Sequence, residues 1–237
     1  LLVCDVVGNI VHRDVLSADG PIFKASRAPG EQDREFLAST DPRFRPTGLE
    51  LGPDGALYLM DMHRDVIEHP DYIPKKMLAE MDIRAGDDKG RIYRIVPRNG
   101  LPPEKTDLTA LTTEDLVNEL ASPNQWRRMT AQRLLVEGKR TDATNSLRRV
   151  SRDHANPVAR VHASWTLGGL GRLEVADVLA GIDGTHMGVA ENALQLAGRF
   201  LSANKTIRDR VFWRLLAFAE PPRLKFLAMQ VLDGVDP

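Results

Sequence analysis

Short apolar runs separated by turn residues fill the first 97 residues of the chain. Strand-like runs lie at 1–4 and 9–16. The stretches 47–51 and 56–61 flank Gly52-Pro-Asp-Gly55, in which the proline and the Asp-Gly pair suit the central positions of a tight turn. This pattern predicts antiparallel strands, with the clearest hairpin over residues 47–61.

A long segment without strand periodicity interrupts this β region at residues 63–89. It contains Pro70, Pro74 and one short stretch, 75–80, that favours a helix. The strand that follows, 90–96, alternates polar and apolar positions, as a half-buried strand does. A loop of this length inside a compact domain is uncommon and is usually functional. The insertion is therefore the first place to look for a site.

Helical spacing replaces the strand pattern from residue 111 onward. The motif Arg-x-x-Ala-x-x-x-Leu occurs at 128–135 and 160–167 and returns twice in weaker form. Its central alanines lie 32, 30 and 35 residues apart: Ala131, Ala163, Ala193 and Ala228. A period of this size with a small residue in mid-helix is typical of α-solenoids, because the alanine lets neighbouring helices approach. With partner helices at 113–121 and 144–150, the pattern predicts HEAT-like helical hairpins.

Arginine and tryptophan are prominent on the predicted helices. Arg128 and Arg160 occupy equivalent repeat positions, which predicts bonds to neighbouring carbonyls or carboxylates. The other arginines of residues 127–152 leave two interpretations open: a solvated face, or a docking surface for an acidic protein such as an electron-transfer domain. The tryptophans are expected to pack between repeats: Trp126, Trp165 and Trp213.

Composition changes between these two regions. Alanine and leucine, which favour helices, are much more frequent after residue 97 than before it. The segment 97–103 holds three prolines and a glycine, so neither a helix nor a β-ladder should continue through it. We predict a β + α multidomain chain, with a β domain over 1–97, a linker over 98–110 and helical repeats over 111–237.

Charge and cysteine content exclude several functions for the 237-residue chain. Its 32 basic and 33 acidic side chains give a net charge of −1, which argues against a general nucleic-acid binder. No apolar run approaches the roughly 20 residues of a membrane-spanning helix. Cys4 is the single cysteine, so an internal disulfide and a Cys-x-x-Cys motif for metal or haem are both excluded. Glycine-rich phosphate loops and hydrolase motifs are missing from the sequence.

Several short motifs of the β region resemble known dehydrogenases. Residues 52–61 are similar to the blades of six-bladed propellers of the soluble glucose or sorbosone dehydrogenase kind. Further motifs occur in one order: Glu35-Phe-Leu-Ala-Ser-Thr-Asp41, Phe44-Arg-Pro46, Asp61-Met-His-Arg64, Val66-Ile-Glu-His-Pro70 and Gly90-Arg-Ile-Tyr-Arg-Ile95. Together they resemble membrane-bound dehydrogenase proteins typical of planctomycetes, which join a β-propeller to HEAT-like repeats and usually to a c-type cytochrome domain. The resemblance covers residues 98–237 only by architecture.

This resemblance implies a periplasmic or extracellular, membrane-associated oxidoreductase. Such a protein would oxidise a sugar or alcohol with pyrroloquinoline quinone as cofactor and pass electrons to haem c. Only one to two blades of six are recognisable, and no Cys-x-x-Cys-His motif is present. We therefore expect the C-terminal part of a propeller, inactive alone, whose partners are the remaining blades and a cytochrome c-like domain of a longer protein. The alternative is a non-catalytic scaffold that binds a protein on a HEAT-like solenoid.

Three of the four candidate site residues, His63, Arg64 and His69, lie around the start of the insertion, directly after a predicted strand. Loops at such strand ends line the ligand-binding face of a propeller. His63 and His69 are therefore candidates for a general base, because a neutral imidazole can accept a hydroxyl proton. Arg64 and Arg45 are candidates for holding the carboxylates of a quinone, which a guanidinium binds bidentately.

These candidates also have structural interpretations. Arg64 can pair with Asp61 or Asp65, and His69-Pro70 can cap a loop. Arg13, next to His12 in a predicted strand, and Arg45 can each reach a central funnel or form an ion pair between blades. The histidines of residues 61–69 lack the i, i+4 spacing of a zinc-protease motif, so no metal site is predicted.

Overall fold

A computed structural model describes residues 1–102, 107–202 and 221–233, together with residues 205, 208, 209 and 212. The chain folds into two compact units. The sheet unit comprises Leu1–Ser17 and Phe23–Glu104, and the helical unit comprises Ala18–Ile22 and Lys105–Pro237. The fold combines antiparallel sheets with helices, as the sequence predicts. Residues 103–106 of the predicted linker lie outside the described part.

Two antiparallel sheets account for the strands that the structure describes. The first sheet contains β1 (Leu2–Asp5), β2 (Ile10–Asp19), β3 (Ile22–Arg27) and β4 (Leu37–Ala38). In this sheet β2 pairs with each of the other three strands. The second sheet has the order β5 (Pro46–Leu51), β6 (Leu57–Asp61) and β7 (Arg91–Ile95). Neither sheet closes on itself within the residues seen here.

The predicted hairpin over residues 47–61 is confirmed. Strands β5 and β6 pair from Pro46 opposite Asp61 to Leu51 opposite Leu57. The turn between them closes through a bond of 2.8 Å from the Gly52 amide to the Ala56 carbonyl. Gly55 has a φ of 78°, which glycine adopts without strain. The predicted strand at 90–96 is also confirmed, although four of the five residues of β7 are exposed.

Each sheet buries one apolar face and exposes the other. The shared core contains Val11, Phe44 and Leu59, with partly buried neighbours Leu2, Cys4, Leu37, Leu49 and Ile95. Strand alternation places Met60 and its cross-strand partner Ile92 on the opposite face of the second sheet, where they are 36% and 69% exposed. Val3 is exposed in the same way on the first sheet. Apolar surface therefore remains uncovered on both sheets.

Helices make up most of the second unit. A short helix, α1 (Lys75–Leu78), and a 3₁₀ turn at Pro70–Tyr72 belong to the insertion of the sheet unit. The helical unit contains α2 (Thr113–Glu119), α3 (Gln125–Glu137), α4 (Thr144–Asp153), α5 (Pro157–Gly169), α6 (Val175–Ile182), α7 (Met187–Leu201) and α8 (Pro222–Asp233). Asn124 and Asn156 cap α3 and α5 by accepting the amide hydrogens of Trp126 and Val158, each at 2.9 Å.

The helices pack as consecutive pairs, and the second helices of the pairs contact one another. The pairs are α2 with α3, α4 with α5, and α6 with α7, and further contacts join α3 to α5, α5 to α7, and α7 to α8. All four repeat alanines are buried. At Gly181 an added Cβ would lie 2.7 Å from the Cβ of Ala193, so small residues do permit close approach here. The partner expected before α8 falls mostly outside the described residues.

The predicted role of the repeated arginines is confirmed. Arg128 Nη1 donates to the carbonyls of Ser122 at 2.7 Å and Pro123 at 2.9 Å. Arg160 Nε donates to the Ser151 carbonyl at 3.1 Å. The tryptophans Trp126 and Trp165 are partly buried against the helical cores, whereas Trp213 lies outside the described residues.

Other arginines of residues 127–152 already have acidic partners. The ion pairs are Arg127 with Glu119, Arg148 and Arg152 with Asp177, and Arg149 with Glu114. An acidic protein that docked on these helices would have to compete with these pairs. The ion pairs therefore weaken the interpretation of this region as a basic docking surface.

Replacing Ala163 by phenylalanine is expected to destabilise the helical unit by about 3 kcal/mol, because the larger ring overpacks a fully buried site on α5. The melting temperature should fall by about 10 °C. The matched control is Ala176→Phe on α6, where the alanine is exposed and little change is expected. Equal melting temperatures for the two variants would contradict the packing described here. Thermal unfolding followed by circular dichroism at 222 nm measures both.

Candidate functional site

The end of β6 is fixed by the buried carboxylate of Asp61. Its Oδ1 accepts the backbone amides of Arg45 at 2.8 Å and His63 at 2.9 Å. Two backbone bonds then align the next residues with the segment before β5: the Met62 amide donates to the Arg45 carbonyl at 2.9 Å, and the Arg64 amide to the Arg43 carbonyl at 3.0 Å. Residues 61–64 are thus held rigidly at the strand end.

His63 combines an unusual backbone with an unpartnered side chain. Its φ is 51°, in the left-handed region that few non-glycine residues adopt. The residue is only 5% exposed. Its Nδ1 lies 3.8 Å from Asp61 Oδ2, which is too long for a hydrogen bond. Within the described part of the chain, neither atom has a hydrogen-bond partner. A buried carboxylate oxygen and a buried imidazole nitrogen therefore face each other across a short gap.

The far end of the insertion closes over His63. Gly86 has a φ of 90°, and a Cβ at this position would lie 2.4 Å from the His63 carbonyl oxygen. Only glycine permits this approach. Next to it, the Asp65 amide donates to the Ala85 carbonyl at 3.3 Å. The insertion thus folds back onto its own first residues.

Arg45 ties three backbone segments together. Its Nη1 donates to the Val6 carbonyl at 2.7 Å, while Nε and Nη2 donate to the carbonyls of Arg64 at 2.9 Å and Asp65 at 3.0 Å. Each guanidinium nitrogen therefore has a carbonyl partner. These bonds differ from both sequence interpretations, a quinone-binding group and an ion pair between blades. They give Arg45 a role in holding the loop after β6.

Arg64 lies beside this loop with part of its side chain unsatisfied. Its Nη1 is buried and has no hydrogen-bond partner among the residues described. Of the two aspartates that the sequence offered as its partners, Asp65 instead pairs with Arg43 at 3.0 Å, and Asp61 accepts the backbone amides of Arg45 and His63. Arg64 thus brings a buried cationic donor to the segment that carries His63.

His69 occupies a different environment. Its side chain is 66% exposed, and its Nδ1 accepts the Asp71 amide at 3.3 Å. This bond caps the 3₁₀ turn Pro70–Tyr72, and the imidazole ring lies 6.0 Å from the ring of Tyr72. The loop-capping interpretation of His69 is confirmed. Of the two histidines that the sequence singled out, His63 is therefore the one in a buried polar cluster.

An open cavity of about 650 Å³ borders the same strand end on the outer face of the second sheet. Its lining is mostly apolar and includes Met60, Met62 and Ile92, together with Asp61 and Arg91. This cavity is part of the uncovered sheet face described above.

Only one of the two arginines predicted to hold a quinone is free to do so in the described part of the chain. Pyrroloquinoline quinone carries three carboxylates, and of the two predicted arginines only Arg64 retains a buried unpartnered nitrogen. Covalent haem c needs two cysteines, and the sequence has only Cys4. Where the structure describes the chain, no group of three histidine, cysteine or acidic residues could hold a metal ion. Nor does that part contain a helix long and apolar enough to cross a membrane.

Sequence reasoning missed the glycine that completes the site. Gly86 lies more than twenty residues after His63, and no local pattern connects the two. A signal does exist in the string Ala85-Gly-Asp-Asp-Lys89, because a glycine followed by polar residues favours a turn.

Comparisons with known proteins leave the function open. The model of a family described as a domain of unknown function (DUF7133) matches residues 1–99. No curated protein and no solved structure matches the chain. The sheet unit, including the loop that carries His63, is therefore similar to a family for which this description assigns no function.

Proposed function

We propose that this chain is part of a propeller-type dehydrogenase that oxidises a sugar or alcohol, and that His63 is its general base. The observation that carries the proposal is the buried pair of Asp61 Oδ2 and His63 Nδ1, 3.8 Å apart and without other partners. The reaction class comes from the resemblance of residues 1–97 to such dehydrogenases.

The sheet unit has features that support a β-propeller. Sheets of a propeller pack face to face around an axis, so each inner blade face is covered by a neighbouring blade. The two sheets here already share a core in this way. Their outer faces carry exposed Val3, Met60 and Ile92, which further blades would cover. We extend the proposal to the helices, whose buried repeat alanines support a HEAT-like solenoid.

The backbone and the buried nitrogen of His63 both cost folding free energy, and this cost supports a functional role for the residue. A buried polar atom without a hydrogen bond costs about 1–3 kcal/mol, and a residue in a sparsely populated backbone region costs about 1–3 kcal/mol. His63 has both features, and Asp61 and Arg64 add further unpartnered atoms. Such costs are typical of functional sites, where the surrounding structure compensates for them.

The chemistry that we assign to this chain is proton transfer alone. When an alcohol is oxidised to a carbonyl, the hydroxyl proton and a hydride from the carbon both leave. The neutral imidazole of His63 accepts the proton, and the carboxylate of Asp61 stabilises the imidazolium that forms. Residues outside this chain would hold the quinone, which accepts the hydride when bound. A substrate reaches His63 only if the insertion around Gly86 moves away, because this segment covers the residue.

The proposal predicts that the chain alone has no dehydrogenase turnover, because two sheets cannot enclose a substrate and a cofactor. A longer protein that contains this chain and the remaining blades should reduce an artificial acceptor in the presence of sugars or alcohols and the quinone. Both proteins are compared in one dye-linked assay. Turnover by the chain alone would contradict the incomplete-propeller interpretation. An inactive longer protein with bound quinone would contradict the dehydrogenase function.

A second candidate function is a protein-binding scaffold on the helical unit. It is favoured by exposed apolar side chains on its helices: Met129, Val158, Met187, Phe226 and Met229. A cavity of about 260 Å³ with an apolar lining also lies between the start of α5 and the start of α7. This function gains support if the longer protein binds quinone but shows no turnover with any sugar or alcohol tested.

A further inference from the structure

His12 on β2 lies between two carboxylates. Its Nδ1 is 2.8 Å from Glu35 Oε2, and its Nε2 is 3.0 Å from Asp14 Oδ1. The three side chains are between 16% and 24% exposed, so water reaches them only partly. Both ring nitrogens of His12 are therefore committed to acidic partners.

This geometry favours a protonated imidazole while both carboxylates are ionised. An ionised carboxylate only accepts hydrogen bonds, and a neutral imidazole has a single N–H to donate. With the neutral ring, one nitrogen lone pair would face a carboxylate oxygen. The bond to Glu35 makes the largest contribution to raising the pKa of His12 above its ordinary value of 6.5, and Asp14 raises it further. Partial burial and the Arg27 charge oppose this rise without reversing it.

The second carboxylate links the histidine to the segment between β3 and β4. Glu35 also accepts a bond from Arg27 Nη2 at the end of β3, and this bond and the one from His12 lower the pKa of Glu35. Arg27 Nη1 donates to the carbonyls of Glu31 at 3.2 Å and Arg34 at 2.9 Å. Residues 28–36 are thus held to the sheet at three points: by Glu35, two residues before β4 begins, by the carbonyl bonds to Arg27, and by the ion pair of Glu31 with Arg13.

We propose that His12 is a pH-sensitive clamp, which holds residues 28–36 to the sheet while its ring is protonated and loosens them when the ring loses its proton. The charged groups that face it are Asp14 from its own strand, Glu35 from the clamped segment and Arg27 from β3. On β1 its cross-strand partner is Val3, which does not titrate. This clamp is independent of the proposed function of His63.

The direction of the switch follows from the raised pKa of His12. A group whose pKa is higher in the folded than in the unfolded chain stabilises the fold fully below its unfolded pKa, here 6.5. That stabilisation is lost as the pH rises through the folded-state pKa. The segment is therefore clamped under mildly acidic conditions and is released on the alkaline side.

The test combines a histidine titration with hydrogen exchange of the whole chain. In nuclear magnetic resonance spectra, the ring of His12 should titrate above 6.5, whereas burial lowers the pKa of His162 and provides an internal contrast. Protection factors of the amides in residues 30–38, corrected for intrinsic exchange, should fall several-fold as the pH passes through the His12 titration. A His12 pKa at or below 6.5 would overturn the proposal without the use of any variant.

Two variants separate the clamp from general loosening. His12→Gln carries both of its N–H donors on one nitrogen, so it cannot reproduce the bonds that the two ring nitrogens make to Glu35 and Asp14. Because glutamine does not titrate, the protection factors of this variant should be low and independent of pH. Arg13→Gln removes a neighbouring ion pair to Glu31, at 2.6 Å, and should keep the pH dependence of the wild type. An unchanged pH dependence in His12→Gln, or its loss in Arg13→Gln, would overturn the proposal.

Discussion

Replacing His63 by asparagine is expected to lower turnover of the proposed longer dehydrogenase about 10²- to 10⁴-fold, the usual contribution of a general base. Asparagine is one of the few residues that tolerate the left-handed region, so His63→Asn keeps the observed φ of 51° and removes only the imidazole. Because the backbone is preserved, the melting temperature should stay within a few degrees of the wild type. The loss should appear mainly in kcat, since proton transfer occurs in the transition state.

The matched control for this experiment is His69→Asn. His69 lies in the same insertion, is largely exposed and only caps a 3₁₀ turn. Its replacement by another N-capping residue should leave kcat and KM unchanged. Steady-state kinetics of both variants with a dye acceptor measure the difference. A His63→Asn variant with the turnover of His69→Asn would contradict the assignment of His63 as the base.

Removing the carboxylate of Asp177 is expected to destabilise the helical unit by about 3 kcal/mol. The side chain is fully buried and accepts three bonds. Its Oδ1 accepts Arg152 Nη2 at 2.6 Å, and its Oδ2 accepts Arg148 Nε at 3.1 Å and the Glu174 amide at 3.0 Å. Asp177→Ala therefore leaves two arginines without their buried partner and removes the bond to the Glu174 amide at the start of α6.

Chemical denaturation of the chain measures this loss. The control is Glu137→Gln, which breaks an exposed i, i+4 pair with Arg133 at 2.8 Å and should cost at most about 0.5 kcal/mol. Because the chain has two units, unfolding should be followed by far-ultraviolet circular dichroism, which reports mainly on helices. A similar free energy of unfolding for both variants would mean that Asp177 does not hold α4 to α6.

Periodicity predicted the parts of the fold in which one face of an element is buried. The hairpin of β5 and β6 and the repeat alanines fall in this class, because their apolar residues recur at the spacing of the element. Strands β3 and β4 were not predicted. Five of six residues of β3 are exposed and β4 has two residues, so neither shows an alternating pattern. Pairing with β2 forms these strands instead.

The sequence predicted only those parts of the candidate site whose residues lie close together along the chain. The position of His63 directly after a strand indicated a candidate base, and Asp61 lies two residues before it. Gly86 packs against His63, and Glu35 bonds to His12. In each of these two contacts the partners lie more than twenty positions apart in the sequence. Arg45 shows the same limit, because its partners are backbone carbonyls, which no residue type reveals. Tertiary contacts alone decide such roles.

Chemical rescue tests the role of His63 most directly. In the proposed longer dehydrogenase, His63→Gly keeps a residue that accepts the left-handed backbone and leaves a space of the size of the ring. We predict that this variant has very low turnover. Added imidazole should restore turnover in proportion to the concentration of neutral imidazole in solution. Turnover of His63→Gly at the wild-type rate in the absence of imidazole would contradict the assignment of His63 as the general base.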